Sequence, residues 1–456
     1  MKNLFVCFLA LIISSATAQK IVLTSEITEA DRIALTNKYA NDNFNKKNVE
    51  SLHARMDSAI KLVFPVTPKN GIALFFEAMV GTEGKVDLVI FDLMYAQKYN
   101  RDSLAGKFKA AFASQMSIYK APVPGAAFVR TFSIGIGPIK VPRQVRQTDS
   151  SLIDVASLVT YTDTLRIKKL FLNDLELKEI PQTIYRYPNL EELYLGSNEI
   201  TEVNLNMSRL PKLRQLHLQG NQITGENFKI SPNKTLNLLN LKENKLSDIP
   251  AAARNCKRLD ILWLGGNQLS KLTSSSFKRF KNLKDLNFYK SGIAVLPKGI
   301  KKMHHLEVLD LYYNELEQLP KTITRLRRLT HLAVSNNQLT SLPKKIDKLK
   351  KIHTLYAHHN HLSKLPERIT KMKNLKILDL GYNWFTNFPQ ELTSFNTLEE
   401  LDLSSNNFTE FPSQLLSIKR LDKLYLRGNP FAGENAEAKY GQQLGQLKSK
   451  NIEVFY

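Results

Sequence analysis

Cysteine and long apolar runs are both scarce in this sequence. Of 456 residues only two are cysteine, and one of them, Cys7, lies in an apolar stretch at the N-terminus. Without that stretch, Cys256 is the one cysteine of the chain and cannot form an intrachain disulfide, which excludes a disulfide-stabilised scaffold. Beyond the N-terminal stretch, no segment reaches the roughly 20 apolar residues that a membrane-spanning helix needs. The sequence is therefore not that of a multispanning membrane protein.

Glycine, proline and acidic residues are also few. The 19 Gly and 18 Pro exclude a collagen-like chain, and a hydrophobic content of 43% is ordinary for a globular protein. The 42 Asp and Glu residues are outnumbered by 64 Lys and Arg, which leaves a formal net charge of +22 and an isoelectric point near 9.7. This excess positive charge is compatible with an anionic partner, although a basic surface that only keeps the protein soluble would give the same net charge.

The first residues have the features of a secretory signal. Met1-Lys2-Asn3 precedes the apolar run from Leu4 to Ile13, and Ala16-Thr17-Ala18 forms a small-residue cleavage site before Gln19. An uncleaved anchor is the alternative, but it would need a run about twice as long. We therefore predict that residues 1–18 are removed and that the chain is exported to the periplasm, the outer surface or the medium. Cys256, at an apolar repeat position, is then predicted to be buried rather than a reactive thiol.

A repeat of 23 residues begins at Ile167. From each repeat start, apolar residues follow at the third and fifth positions, as in Leu306, Leu309 and Leu311, which indicates a short strand with one buried face. One extra residue precedes Leu283, after which the period resumes. The later repeat starts are Leu190, Leu213, Leu236, Leu259, Leu283, Leu306, Leu329, Ile352, Leu375, Leu398 and Leu421.

Asparagine and proline form two further columns in the repeat. An asparagine side chain can donate to and accept from backbone groups at once, so stacked copies can satisfy buried turns. The column is Asn198, Asn221, Asn244, Asn267, Asn314, Asn337, Asn360, Asn383, Asn406 and Asn429. In most coils an apolar-Pro pair such as Leu319-Pro320 then starts a return arm, whose apolar residues recur at helical spacing.

The combined pattern resembles the leucine-rich repeat family in its form L-x-x-L-x-L-x-x-N-x-L-x-x-L-P-x-x-I-x-x-L. The resemblance extends over about three fifths of the chain, in 12 coils. It implies an α/β horseshoe solenoid, with a parallel sheet on the concave face and return arms on the convex face. Leu175 and Ser291 replace the asparagine, proline is missing after Leu272, and Glu226-Asn227 replaces an apolar-Pro pair. We expect local irregularity in those coils.

The segment before the repeats lacks the 23-residue period and predicts a small α+β domain. Helices are expected at Thr28 to Asn41, at Lys47 to Val63, and at Asp102 to Met116 with Asp102 or Ser103 as N-cap. Strands are expected at Ile72 to Val80, Lys85 to Leu93 and Ala126 to Ile136. The predicted organisation is a signal (1–18), a helical segment (19–66), the small α+β domain (67–140), a linker and N-terminal cap (141–166), the coils (167–435) and a C-terminal cap (436–456).

This small domain resembles in part the C-terminal domain of TonB-type energy transducers. The shared marks are Gly84-Lys85-Val86, the helix led by Asp102, and Pro124-Gly125 before a β-run ending at Ile136. The resemblance implies an envelope interaction module whose last strand offers an edge for pairing. The aromatic residue usual before the proline is not clearly present, and a generic accessory domain is the alternative.

No common catalytic signature is present in the sequence. We find no G-x-S-x-G, H-E-x-x-H, P-loop or paired C-x-x-C motif. The histidines His331, His353, His358, His359 and His361 are the one metal-like group, but the repeat register directs them apart, which favours polar surface over a metal site. We therefore predict no catalytic residue, no cofactor and no metal; a hydrolase with scattered residues is the alternative.

Binding is predicted at the outward strand positions between the buried leucines, where aromatic side chains collect. Tyrosine and tryptophan offer rigid area with a polar group, as interface anchors do. Twelve strands about 4.8 Å apart give a face roughly 50 Å long, which suits a protein or peptide partner. We expect the rings to form one continuous column, and packing of the rings on one another is the alternative. The residues are Tyr194, His217, Trp263, Tyr289, Tyr312, His331, Tyr356, His358, Tyr382 and Tyr425.

Charge is predicted to separate the two faces. The outward strand positions carry eight carboxylates and five basic side chains, whereas 18 basic residues lie on the return arms of the middle coils, opposed there by Asp347 and Glu367. Such a stripe could bind anionic polysaccharide or lipid, as an envelope adhesin or scaffold would, or it could be a solvated surface. Nucleic acid is less expected for an exported chain. The candidate anion-binding residues are Arg325, Arg327, Arg328, Lys344, Lys345, Lys348, Lys350 and Lys351.

Overall fold

The computed structural model describes residues 20–39, 45–68, 71–94, 96, 99–123, 125, 127–137, 145 and 147–456. The predicted signal, residues 1–18, lies outside this part of the chain. Two compact units are present, one before Val145 and one from Val145 to Tyr456. None of the helices in the described ranges is both long and apolar enough to cross a bilayer.

The first unit is built on a four-stranded sheet in the order β1-β3-β2-β4. The hairpin strands β2 and β3 are antiparallel, β4 runs antiparallel to β2, and β1, which the sequence patterns did not predict, lies parallel to β3. The strands are β1 (Lys20–Leu23), β2 (Ile72–Val80), β3 (Val86–Met94) and β4 (Phe128–Ile136), and the helices are α1 (Glu29–Tyr39), α2 (Lys46–Val63) and α3 (Arg101–Ser117).

Helices cover both faces of this sheet. On one face, α2 and α3 pack over a core that includes Phe76, Phe91 and Phe108, all fully buried. On the other face, Leu35 and Tyr39 of α1 pack against Met79 and neighbouring residues. Alternate strand residues therefore serve two cores, which explains why β2 and β3 are apolar along nearly their whole length.

The N-cap of α3 differs from the prediction. The Asn100 side-chain oxygen accepts a hydrogen bond from the Ser103 backbone N–H at 2.9 Å, so the cap is Asn100 and not Asp102 or Ser103. Asp102 instead lies in the first turn, where its negative charge favours the helix dipole. Several adjacent residues could fill the cap, and the sequence alone did not distinguish them.

The second unit is a solenoid organised around a 14-stranded parallel sheet. Twelve strands lie at the repeat positions, and one further strand extends the sheet at each end. The predicted α/β leucine-rich repeat architecture, preceded by an α+β unit, is confirmed. In order, the strands are β5 (Ser151–Leu152), β6 (Lys169–Phe171), β7 (Glu192–Tyr194), β9 (Gln215–His217), β11 (Leu238–Asn240), β12 (Ile261–Trp263), β13 (Asp285–Asn287), β14 (Val308–Asp310), β15 (His331–Ala333), β16 (Thr354–Tyr356), β17 (Ile377–Asp379), β18 (Glu400–Asp402), β19 (Lys423–Tyr425) and β20 (Glu453–Phe455).

Asparagine holds the turn after ten of the twelve coil strands. The Asn337 amide nitrogen donates to the carbonyls of Leu311, Val334 and Ser335 at 2.9, 3.0 and 3.1 Å. Its oxygen accepts from the Leu316 N–H at 3.0 Å, in the preceding coil. One side chain thus satisfies four buried backbone groups and joins two coils. All ten asparagines of the column are buried.

Serine replaces only part of this function. The Ser291 hydroxyl donates to the Leu264 and Tyr289 carbonyls at 3.3 and 3.2 Å. Its side chain does not reach back to the Leu269 N–H, which donates to the Ser291 backbone carbonyl at 2.9 Å. The irregularity expected at this coil is therefore limited to one hydrogen bond, in which a backbone carbonyl replaces the asparagine side-chain oxygen as the acceptor.

Most return arms are short 3-10 helices rather than longer helices. The proline carbonyl accepts from the N–H three residues on, as from Ile323 to Pro320 at 2.9 Å. These turns are Gln182–Arg186, Met207–Arg209, Ala251–Asn255, Lys298–Lys302, Lys321–Arg325, Ile346–Lys348, Glu367–Lys371, Gln390–Ser394 and Ser413–Ser417; others are Thr24–Glu26 in the first unit and Pro430–Ala432 after the last strand.

Arms without proline depart from this form. Two of them form a separate parallel pair, β8 (Val203–Leu205) and β10 (Phe228–Ile230), in which the Val203 N–H donates to the Asn227 carbonyl at 2.9 Å. Residues with a free N–H can enter such a ladder, whereas proline cannot. The arm after Leu272 contains turns, with Arg279 in the left-handed region at a φ of 72°.

Each end of the solenoid core is covered. At the start, β5 and the short helix α4 (Val155–Thr160) bury Leu152 and Leu158 against the first coil. At the finish, helix α5 (Ala436–Ser449) buries Leu444 and Leu447, and β20 pairs with β19. These elements exclude water from leucines that would otherwise be exposed.

Candidate binding surface

Each coil presents four side-chain positions on the open side of the sheet, which we call the concave face. In the coil of β16 they are Thr354 at the strand start, Tyr356 at the strand end, His358 in the turn, and His359, whose φ of 50° is left-handed. The residue between the first two, Leu355, is fully buried. Equivalent residues of neighbouring coils lie side by side, because the strands are parallel and in register.

The predicted aromatic residues occupy different positions of this pattern, so the expected single continuous column is wrong. At the strand end, four coils of the middle carry Asn240, Asn287, Asp310 and Ala333 instead. The predicted residues divide into the strand start (His331), the strand end (Tyr194, His217, Trp263, Tyr356 and Tyr425), the turn (Tyr289, Tyr312 and His358) and the left-handed position (Tyr382).

A first aromatic group lies in the early coils. Tyr194 stacks between Phe171 and His217, with ring centroids 4.7 and 4.4 Å apart. The Tyr194 hydroxyl donates to Glu192 at 2.8 Å, and burial together with this carboxylate raises the pKa of Tyr194 to about 12. Burial lowers the pKa of His217. Sequence reasoning missed Phe171, although it occupies the same position one period earlier.

A second aromatic group joins the turns of the middle coils. Tyr312 lies 5.7 Å from Tyr289 and 5.4 Å from His358, measured between ring centroids. His359 stacks on Tyr382 at 4.0 Å, and the Tyr382 side chain is 53% exposed. These rings lie beside the strands rather than on them, and they present an aromatic border along the sheet.

The remaining predicted rings lie apart from these two groups. Tyr356 is 39% exposed at the end of β16. Trp263 donates from its indole nitrogen to Asp285 at 3.3 Å and is covered by the Lys242 ammonium at 5.1 Å. Tyr425 stacks on Phe455 of the C-terminal cap at 4.6 Å, a contact that the repeat pattern alone did not predict. The exposed His331 contacts the Thr330 hydroxyl at 2.9 Å.

Aspartates hold fixed orientations at the strand ends. Asp310, Asp379 and Asp402 each accept a hydrogen bond from the N–H two residues further on, at 2.9, 3.1 and 2.7 Å. Burial is the main cause that raises the pKa of Asp310, of Asp402 and of Asp285 at a strand start. The concave face thus combines oriented carboxylates with exposed rings.

His358 links these groups but does not form a catalytic triad. Its Nδ1 lies 2.6 Å from Asp379 Oδ2 and 3.1 Å from Ser335 Oγ, and its Nε2 lies 3.3 Å from the Tyr312 hydroxyl. A serine triad needs the serine and the carboxylate on opposite ring nitrogens. Here both contact Nδ1, so the contacts orient the imidazole.

No other chemistry-bearing cluster stands out in the described ranges. They contain no group of three or more His, Cys, Asp or Glu side chains placed to hold a metal ion. Cys256 is buried, and burial raises the pKa of its thiol to about 12, so this sulfur is not a ready nucleophile.

The convex basic stripe consists of exposed side chains. All eight candidate residues, Arg325, Arg327, Arg328, Lys344, Lys345, Lys348, Lys350 and Lys351, are exposed. Asp347 is buried beneath them and is held by Arg368 through two contacts of 2.8 and 2.6 Å, which keep the pKa of this carboxyl below its usual value. The hydrogen-bonded partner of Asp347 is therefore Arg368, which is not one of the eight candidate residues.

Comparison with known proteins gives one consistent repeat family. A family model described as "Leucine-rich repeat region" matches residues 235–340 and 331–455, and one described as "Leucine rich repeat" matches residues 166–223. No curated protein matches the sequence.

Solved structures that match this chain also contain leucine-rich repeats. An internalin from Listeria monocytogenes is 22% identical with a TM-score of 0.53, covering 66% of this chain and 85% of its own. A chain of the octameric complex of Latrophilin 3, Unc5D and FLRT2, in which FLRT2 carries the repeats, is 23% identical with a TM-score of 0.50, covering 63% and 89%. A repeat protein of Leptospira interrogans is 22% identical with a TM-score of 0.41, covering 68% of this chain and 100% of its own.

Proposed function

Because this chain belongs to the leucine-rich repeat proteins, we propose that it is a recognition protein that binds a protein or peptide on its concave face. The observation that carries the proposal is the exposure of Tyr356 on an ordered sheet whose neighbouring strand ends carry oriented carboxylates. Rings and carboxylates fixed by their own coils lose little conformational entropy when a partner binds. The residues proposed to contact it are the ten aromatic and histidine residues predicted from the sequence.

The related architectures support a protein or peptide partner. The repeats of FLRT2 are part of a solved octameric complex with Latrophilin 3 and Unc5D. A face of twelve strands spans roughly 50 Å, which is the scale of a protein surface rather than of a metabolite pocket. We propose in addition that the protein is not an enzyme and that it acts after export, as its N-terminal sequence indicates.

Replacement of rings on the concave face tests this function. The triple variant Trp263→Ala, Tyr312→Ala and Tyr356→Ala should lose the partners captured from envelope extract of the native cell, because three anchors are removed. Quantitative mass spectrometry of the captured proteins measures the loss, and circular dichroism checks the fold. The matched control is Lys344→Ala, Lys345→Ala and Lys348→Ala on the convex face. Full retention of every partner by the folded ring variant would refute the proposal.

A second candidate function rests on the convex stripe. Eight exposed cations on adjacent coils suit an anionic polysaccharide or lipid surface, with an affinity that falls as salt rises. Reversal of charge at Lys348, Lys350 and Lys351 to Glu should abolish retention on heparin and on phosphatidylglycerol vesicles. Retention that survives the reversal, or that does not depend on salt, argues against this function.

A further inference from the structure

We propose that the partner on the concave face is a basic, extended segment, and that one of its Lys or Arg side chains lies against Asp379 and Asp402 between the rings of Tyr356 and Tyr425. This inference rests on the proposed function and specifies the chemistry of the partner. It depends on four side chains of successive coils that share the strand-end position.

The strand register brings these four residues together. Tyr356 is paired with Asp379, Asp379 with Asp402, and Asp402 with Tyr425, in the parallel ladder of β16 to β19. Neighbouring strands lie about 4.8 Å apart, so the two carboxylates are adjacent and a ring stands on either side. A cation over the carboxylates can also meet the electron-rich face of a flanking aromatic ring, and both contacts favour positive charge.

The carboxylates are held by hydrogen bonds, and neither is paired with Lys or Arg in the part of the chain that the structure describes. Asp402 Oδ1 accepts from the Ser404 N–H at 2.7 Å, and Asp379 accepts from the Gly381 N–H at 3.1 Å and contacts His358 at 2.6 Å. Burial raises the pKa of Asp402, and the charge of Asp379 adds to this effect. A bound positive charge would favour the ionised carboxylate, and so would offset both the burial of Asp402 and its repulsion by Asp379.

The sign of this face is opposite to that of the whole protein. The chain has a net charge of +22, and that sum alone would favour an acidic partner. On the concave positions of the coils from β13 to β19, however, five carboxylates outnumber three basic side chains: Asp285, Asp310, Asp379, Glu400 and Asp402 against Lys290, Lys423 and Arg427. Local charge complementarity therefore selects a basic partner at a site on a basic protein.

A second carboxylate sets the spacing expected in the partner. Asp310 lies at the same strand-end position three coils before Asp379, beside the aromatic group of Tyr289 and Tyr312. Three steps of the sheet are about 14 Å, which an extended chain covers in about four residues. Side chains four residues apart point to the same side of an extended peptide. We therefore expect two basic residues separated by three others.

Selection of peptides from a random dodecapeptide display library tests the inference on the full chain. Selected peptides should carry Lys or Arg, preferably four residues apart, and synthetic copies should bind about tenfold or more weakly to the Asp379→Asn, Asp402→Asn variant. Fluorescence anisotropy with labelled peptides measures the affinity. The matched control is Glu315→Gln, Glu317→Gln, which changes net charge equally at two exposed turn positions.

The outcomes separate this inference from the proposed function. Basic peptides whose binding falls with the aspartate variant and not with the control support it. Neutral or acidic peptides that require Tyr312 and Tyr356 would leave concave binding in place and overturn the basic partner. Peptides whose binding depends on neither set, or no selected peptide at all, would overturn both. Basic peptides that bind the aspartate variant and the control equally well also overturn the inference.

Discussion

A single aspartate illustrates how binding and stability compete at the residue scale. Asp402 is partly buried beside Asp379, and its raised pKa means that the folded protein holds the proton more tightly than the unfolded chain. The stability this proton contributes is present below the ordinary Asp pKa of 3.8 and is lost as the pH rises through the raised value. At neutral pH the ionised carboxylate therefore destabilises the fold.

Substitution of Asp402 by Asn should stabilise the protein at neutral pH. The amide oxygen can still accept from the Ser404 N–H, while the buried charge is removed, so we expect a gain of about 0.5–1 kcal/mol in the free energy of unfolding. Urea denaturation from pH 7 down to pH 4 should show the gain shrinking as the wild-type carboxyl becomes protonated. Asp163→Asn, at an exposed position, should show no such gain; an equal effect at both positions would contradict the explanation.

The sequence predicted which residue types occupy the concave face but not how they group. The period placed Tyr194, His217 and Tyr356 at equivalent positions, since register follows from spacing. The contacts between rings could not be predicted, because they depend on side-chain rotamers and on residues outside the repeat. Phe455 of the C-terminal cap, for example, stacks on Tyr425 of the last coil. The contact of His358 with Asp379 also joins two adjacent coils, and neither residue stands out within its own repeat.

At the scale of the element, the coil is stabilised by its turn as well as by its leucines. The buried Asn337 side chain makes four hydrogen bonds: its amide nitrogen donates to three carbonyls, and its oxygen accepts from one backbone N–H. A leucine core is nondirectional, whereas these bonds fix where one coil meets the next. Loss of the side chain leaves several backbone groups without partners.

Truncation of this asparagine should therefore be strongly destabilising. For Asn337→Ala we expect a loss of about 2–4 kcal/mol, because unpaired buried polar groups cost about 1–3 kcal/mol each and some relaxation or hydration will follow. Equilibrium denaturation of the second unit measures it. Asn374→Ala provides the comparison, since that exposed side chain donates to the Lys350 carbonyl alone; a loss there equal to that of Asn337→Ala would show that the column is not special.

The sequence predicted the strands of the coils better than their return arms. A short coil strand is specified by apolar residues at fixed spacing, so the period located all twelve, including the two coils in which Leu175 and Ser291 replace the asparagine. In the arms, spacing suggested helices, but the five residues between Pro320 and Leu326 form a 3-10 turn, Lys321–Arg325, which is too short to continue as an α-helix. Where proline is absent, pairing with a neighbouring arm decided the outcome, as for β8 and β10.

At the scale of the whole molecule, stability is transmitted from coil to coil. Each coil contacts its immediate neighbours, so the ends depend on their caps and not on distant coils. Leu447 of α5 and Leu158 of α4 are both fully buried and cover opposite ends of the solenoid core. They allow one matched comparison of the two ends.

Leu447→Ala and Leu158→Ala should loosen different ends of the molecule. Each should cost about 2–4 kcal/mol locally, as expected for a buried leucine. Hydrogen exchange followed by mass spectrometry should show faster exchange at β19 and β20 in the first variant and at β5 and β6 in the second. Uniformly faster exchange along the sheet in either variant would mean that the solenoid opens as one cooperative unit instead.

The register of the sheet also has an evolutionary consequence. Because equivalent atoms recur one period apart, an in-frame duplication or deletion of one repeat in the gene would reproduce the contacts that each remaining coil makes with its neighbours. The length of the binding face can thus change by whole repeats while the leucine core is preserved. In this architecture, the number of repeats and the exposed side chains that determine specificity can change independently in evolution.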